Sequence, residues 1–69
     1  MAASRAARSA RARTGLSQPA FAERFRIGLA RLRGLEQGRY RPDSALLAYL
    51  KVVETDPDGV LRALDPDAA

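Results

Sequence analysis

Residues 16–42, LSQPAFAERFRIGLARLRGLEQGRYRP, decide the fold. Ser17 offers an oxygen that can cap a helix start, and Pro19 falls in the first turn, where a missing N–H costs nothing. Phe21, Ala22 and Phe25 then recur at helical spacing, so a short helix is expected over about residues 18–25. Arg26, Ile27 and Gly28 leave room for no more than a tight turn. A helical pattern resumes over residues 29–37, with Leu32, Leu35 and Ile27 available for a core, and Gly38 ends it. Two short helices joined by a three-residue turn, the second followed by a basic, Pro-terminated loop, form a unit whose second helix can enter a DNA major groove.

Outward from this unit, residues 3–13 are rich in Ala and Arg, both strong helix formers, and place Ala3, Ala7 and Ala10 on one face. Thr14-Gly15 stops this first helix, Gly15 taking a left-handed conformation, and Leu16 folds back onto it. Downstream, Tyr40-Arg41-Pro42 breaks the chain, Ser44 is placed to cap a fourth helix, and Leu46, Leu47, Leu50 and Val53 form a broad apolar stripe. Thr55-Asp56-Pro57 opens a last short helix at about 57–64 carrying Val60, Leu61 and Leu64, and residues 65–69 are polar. No strand pattern or repeat is visible. The expectation is an all-α, compact bundle of five short helices, a single domain over 1–69 with its helix-turn-helix core at about 16–38. Phe21, Phe25, Leu32, Leu35, Leu46, Leu50 and Val53 are expected in the core.

A chain of 69 residues has a thin core, because one this short buries only about 60% of the surface its unfolded form exposes. It contains no Cys and no His, which removes disulfides, thiolate metal sites and the commonest acid-base group. With no nucleophile-base pair, metal cluster or phosphate-cradling Gly loop, the sequence points away from an enzyme and implies no cofactor. The longest nearly apolar run, 45–53, is broken by Lys51 and is far shorter than the roughly 20 residues that span a bilayer. The Arg-studded start lacks an apolar signal core, so a cytoplasmic protein with no membrane partner is expected.

The net charge of +4 divides unevenly along the chain. Residues 1–41 hold ten Arg against Glu23 and Glu36, whereas residues 42–69 hold Lys51 and Arg62 against six acids. A polyanion should meet the first segment. Arg dominates the basic residues, and its planar fork suits phosphate and guanine better than the point charge of Lys. A GC-rich genome would also favour Arg codons, but it would not segregate the charges.

SQPAFAERF followed by IGLARLRGLEQGRYRPD resembles the helix-turn-helix of the Cro/C1-type (XRE) repressors. Within that family, LEQGRYRPD and the later DPDGVLRAL are most similar to HigA-type antitoxins of type II toxin-antitoxin modules. The resemblance spans roughly residues 7–64 and implies a lambda-repressor-like DNA-binding fold. It implies that Gln18 contacts a phosphate, that Gly28 and Arg31 approach the DNA backbone, and that Leu29, Ala30 and Arg33 face the bases. Arg39 and Arg41 would be further phosphate contacts. Leu29 and Ala30 offer only apolar contacts, chiefly to thymine methyls, so Arg33 is the one strong base reader. Each Arg also reads simply as a solvated surface charge. Glu36 resembles the family's acid that pairs with an Arg of the first helix such as Arg11; an exposed pair with Arg33 or Arg39 is the local alternative.

Three positions depart from the family pattern. Arg26 stands where the turn usually has Gly, Gly28 where Ser or Thr usually caps the recognition helix, and Gly34 lies mid-helix, either permitting close approach to DNA or weakening the helix. Tyr40 could bond a phosphate or cover the core edge. Val60, Leu61 and Leu64 are the dimer candidates, since a lone short helix with an acidic outer face gains little unless it meets a second copy; packing on the fourth helix is the alternative.

The resemblance implies a bacterial, sequence-specific repressor that binds a palindromic double-stranded operator as a homodimer, with recognition helices about 34 Å apart. As an antitoxin it would repress its own operon and neutralise a RelE/HigB-type mRNA endonuclease toxin by masking it. No ligand-sensing domain is legible, which points regulation to a protein partner or to turnover. Two other readings stay open: a free-standing phage-type or controller repressor without a toxin partner, and a helical protein-interaction module that has lost DNA binding.

Overall fold

The computed structural model of the chain describes residues 2–39 and 41–65, with side chains from residue 4 onward. Five helices occur among the described residues: α1 (Ala2–Thr14), α2 (Gln18–Arg24), α3 (Leu29–Glu36), α4 (Ser44–Thr55) and α5 (Pro57–Leu64). Tyr40, the side chain of Ala3 and residues 66–69 lie outside the described residues.

Each helix begins and ends on a local device. Gly15, at φ +74°, closes α1 and donates its N–H to the Arg11 carbonyl at 3.1 Å. Ser17 caps α2, its hydroxyl accepting the Ala20 N–H at 3.3 Å, with Pro19 in the first turn. The turn into α3 keeps a left-handed residue although that residue is Arg26, at φ +62°. Such a conformation costs about 1–2 kcal/mol outside glycine. It lets the Ile27 N–H reach back to the Ala22 carbonyl at 3.0 Å, and it turns the Ile27 side chain into the core, 6% exposed. Burying an isoleucine yields about 1.5–3 kcal/mol, enough to offset the strain.

The cap of α4 is Asp43 rather than Ser44. Asp43 Oδ1 accepts the Leu46 N–H at 2.9 Å, and Ser44 becomes the first helical residue. Two adjacent residues compete for the position, and the carboxylate adds its charge at the positive end of the helix dipole. Asp56 ends α4 and opens α5, accepting the Gly59 N–H at 3.1 Å while Pro57 occupies the first turn.

The core gathers Phe21, Phe25, Leu32, Leu35, Leu50 and Val53, all fully buried. Phe21 and Phe25 stack one turn apart with ring centroids 4.8 Å apart. Ala7 and Ala10 present only methyl groups, so α1 lies close against both α3 and α4. Leu46 is half-buried rather than in the core, because it sits in the first turn of α4 at the bundle's edge. α2 packs on α3 and α5 on α4. Tyr49, which the hydrophobic pattern does not single out, donates its hydroxyl to the Phe25 carbonyl at 2.6 Å and so satisfies the chain end of α2; burial pushes its phenol pKa up. The radius of gyration is 11.3 Å, against about 11 Å for a compact chain of this length. Among the described residues no helix is long and apolar enough to cross a membrane.

The identity of the α4 cap is open to a direct check. Asp43→Ala should lower unfolding free energy by about 1 kcal/mol in urea titration, while Ser44→Ala should leave it within a few tenths of wild type.

Candidate nucleic-acid interface

α3 is locked by one side and exposed on the other. Leu32 and Leu35 point inward, and so does Glu36, 4% exposed. A buried carboxylate needs partners, since removing it from water costs several kcal/mol. Arg11 of α1 supplies them in a forked pair, Nε to Oε2 at 2.7 Å and Nη2 to Oε1 at 2.9 Å. The Arg11 hydrogen bonds hold the Glu36 carboxyl below its ordinary pKa against the opposing effect of burial, with Gln18 adding to the same direction. They also raise the Arg11 pKa. Of the two partners the sequence left open for Glu36, the long-range one is formed.

Gln18, the first residue of α2, joins this network. Its amide Nε2 donates to Glu36 Oε1 at 3.2 Å, and its Oε1 accepts from Arg33 Nε at 3.4 Å. The polarity is dictated at one end, because an ionised carboxylate only accepts, so the NH2 must face it and the oxygen is left for Arg33. Arg33 is thereby connected to the buried pair through a single side chain. The last carbonyl of α3 is held as well: Ser4 Oγ and Arg8 Nε both donate to the Glu36 carbonyl oxygen, at 2.6 and 3.0 Å. A cation at a helix C-terminus is favourable to the dipole. Neither residue stands out in the sequence, since an Ala/Arg-rich helix offers no signal for which polar residue meets another helix.

The outer side of α3 carries Ala30, Arg31, Arg33 and Gln37, all exposed. Gly28, exposed at φ −58°, precedes them as a cap without a side-chain hydrogen bond. A Cβ there would meet nothing nearer than the Arg31 Cβ at 4.0 Å, so the protein's own packing does not demand glycine. Leu29 is half-buried and packs against the core, leaving only part of its surface outward. After α3 the chain doubles back: Gly38, at φ +73°, donates to the Leu35 carbonyl at 3.1 Å, and Arg39 N–H to the Gly34 carbonyl at 2.8 Å. This C-terminal motif brings Arg39 beside the outer side of α3. Ala30, Arg33, Gly34, Gln37 and Arg39 together line a recess of about 360 Å³. Gly34 itself is buried at its base. Arg41 is exposed in the following loop.

The dimer candidates lie elsewhere, on α5. Val60 is buried at 8% exposure, while Leu61 and Leu64 are half-buried against the core. Val60 and Leu64 line a recess between α4 and α5 together with Tyr49, Ala63 and Val52, the last 53% exposed.

The profile of a family described as a helix-turn-helix domain matches residues 2–64. No curated protein and no solved structure matches the chain. The chain belongs to the helix-turn-helix domain family and is a DNA-binding protein of that kind.

Removing one partner of the buried pair should cost more than removing both. Arg11→Ala leaves Glu36 without its nearest cation and should cost about 1–3 kcal/mol, since the Arg11 side chain is 29% exposed and Gln18 stays bonded to the carboxylate, whereas Arg11→Met combined with Glu36→Leu should cost less than half of that. A carboxyl whose folded pKa is depressed contributes stability above its unfolded value, about 4.3, and loses that contribution as pH falls through the folded value. Wild type should therefore lose stability more steeply than the double variant below about pH 5, measured by urea unfolding across the acidic range.

Proposed function

We propose that this helix-turn-helix protein is a bacterial, cytoplasmic transcriptional repressor that binds a palindromic operator as a homodimer, with α3 of each copy in the major groove. The observation that carries the reading is the two-sidedness of α3: Glu36, Leu32 and Leu35 anchor one side, and Arg31, Arg33 and Arg39 stand exposed on or beside the other. In this reading Arg31, Arg39 and Arg41 contact phosphates, and Gly28 lets the DNA backbone approach the start of α3. Arg33 reads guanine, and Ala30 with the outward part of Leu29 touches thymine methyls. Gln18 keeps one amide N–H for a phosphate while its other hydrogen and its oxygen serve Glu36 and Arg33. The dimer forms through α5 and the adjoining side of α4, where Leu61 and Leu64 are incompletely covered and Val52 is exposed.

A finer reading makes the protein the antitoxin of a type II module, masking a RelE/HigB-type endonuclease. It is supported by the resemblance of LEQGRYRPD and DPDGVLRAL to HigA-type antitoxins and by the acidic composition of residues 42–69, which suits a basic ribonuclease. Co-expression with the adjacent small reading frame tests it: a neighbour that arrests growth alone, is rescued by this protein and co-purifies with it supports the antitoxin role. A harmless, non-binding neighbour leaves the free-standing repressor.

DNA binding itself should be steeply salt-dependent. Three phosphate contacts per copy give a slope of log affinity against log salt near −5 for the dimer. Arg39→Ala should flatten that slope by about 2 and weaken all sequences alike, as followed by gel shift over a salt series.

A further inference from the structure

One residue of the recess at the end of α3 has a side chain with no part in the fold: Gln37. Its backbone N–H closes α3 on the Arg33 carbonyl at 3.0 Å, its side chain is exposed, and among the described residues its side-chain amide makes no hydrogen bond. Arg33 lies one turn earlier, so the two side chains share one strip of the helix, about 6 Å apart along its axis. That spacing is close to two base-pair steps at about 3.4 Å each. Ala30 and Gly34, likewise one turn apart, line the recess beside this strip and add nothing larger than a methyl, so a base-pair edge can come close to the helix there. Arg39 stands at the same recess with a charge suited to the neighbouring phosphate.

The chemistry of the two long side chains differs in a useful way. A guanidinium offers only donors and matches the paired acceptors of guanine. A carboxamide offers one donor and one acceptor and matches adenine N7 and N6. Arg33 is held by Gln18 before any DNA arrives, and Gln37 leaves the helix from a still-helical backbone at φ −88° and ψ −4°. We infer that Gln37 is a second base-reading residue, which with Arg33 selects an adenine about two base-pair steps from a guanine in each half-site. This rests on the DNA-binding reading above.

Selection of bound sites from randomised duplexes by the full chain tests it, with wild type, Gln37→Ala, Gln37→Glu and Arg33→Ala compared. Wild type should enrich guanine and adenine at that separation. Gln37→Ala should lose a roughly 5- to 100-fold preference at the adenine alone while keeping the guanine. Gln37→Glu should shift that one position toward cytosine, whose amino group donates to a carboxylate. Arg33→Ala should lose the guanine and keep the adenine. Thermal unfolding of both Gln37 variants should match wild type, since the side chain is exposed. Unchanged base preferences in Gln37→Ala, with binding retained, overturn the inference and spare the DNA-binding reading. Failure of wild type to hold any duplex against heparin overturns both.

Discussion

A carboxylate that is 4% exposed sits where α1, α2 and α3 meet, and the forked bond from Arg11 to Glu36 is the constraint on which the arrangement of these helices depends. Apolar contact alone is non-directional, and α1 offers the interior little besides the methyls of Ala7 and Ala10. A charge pair with two N–H donors and two oxygens tolerates far less rotation. If α3 turned about its axis, Glu36 would lose its cation while still buried, at several kcal/mol. The pair therefore sets the orientation of α3 more than it adds to net stability, since an ion pair taken from water returns little beyond its desolvation cost.

From that orientation the functional surface follows. With Glu36 directed to α1, Ala30, Arg33 and Gln37 are exposed on the other side, around a recess at whose base Gly34 is buried. Gln18 carries the same constraint to the surface, because its amide is oriented by the carboxylate and passes its oxygen to Arg33. Ser4 and Arg8 hold the far end of α3, and the reversal at Gly38 returns Arg39 to the recess. A side chain that approaches DNA from a fixed helix loses less conformational entropy than one on a mobile loop.

The remaining two helices divide the labour. α4 completes the core with Leu50 and Val53 and holds the end of α2 through Tyr49. α5 packs on α4 and is only partly covered, with Leu61 half-buried and Leu64 half-buried beside the exposed Val52. The basic half of the sequence thus forms the helix-turn-helix, and the acidic half carries the surface proposed for protein partners, so that repulsion and attraction sort the two kinds of contact.

Helix number, helix ends and the apolar faces were legible in the sequence because they depend on neighbours within about four residues. Gly15 and Gly38 take positive φ, Pro19 and Pro57 sit in first turns, and Ser17 caps as its position demands. Where two local candidates compete, as at Asp43 and Ser44, local reading no longer decides, and Leu46 shows that periodicity locates a face without telling how far the bundle covers it. The strained Arg26 persists because Ile27 is buried, a gain visible only once the core exists. Tertiary structure alone chose Arg11 over Arg33 and Arg39 for Glu36, directed the Gln18 amide, and brought Ser4 and Arg8 to the end of α3. Those bonds join residues 18 to 32 positions apart, and their geometry is set by how the helices pack.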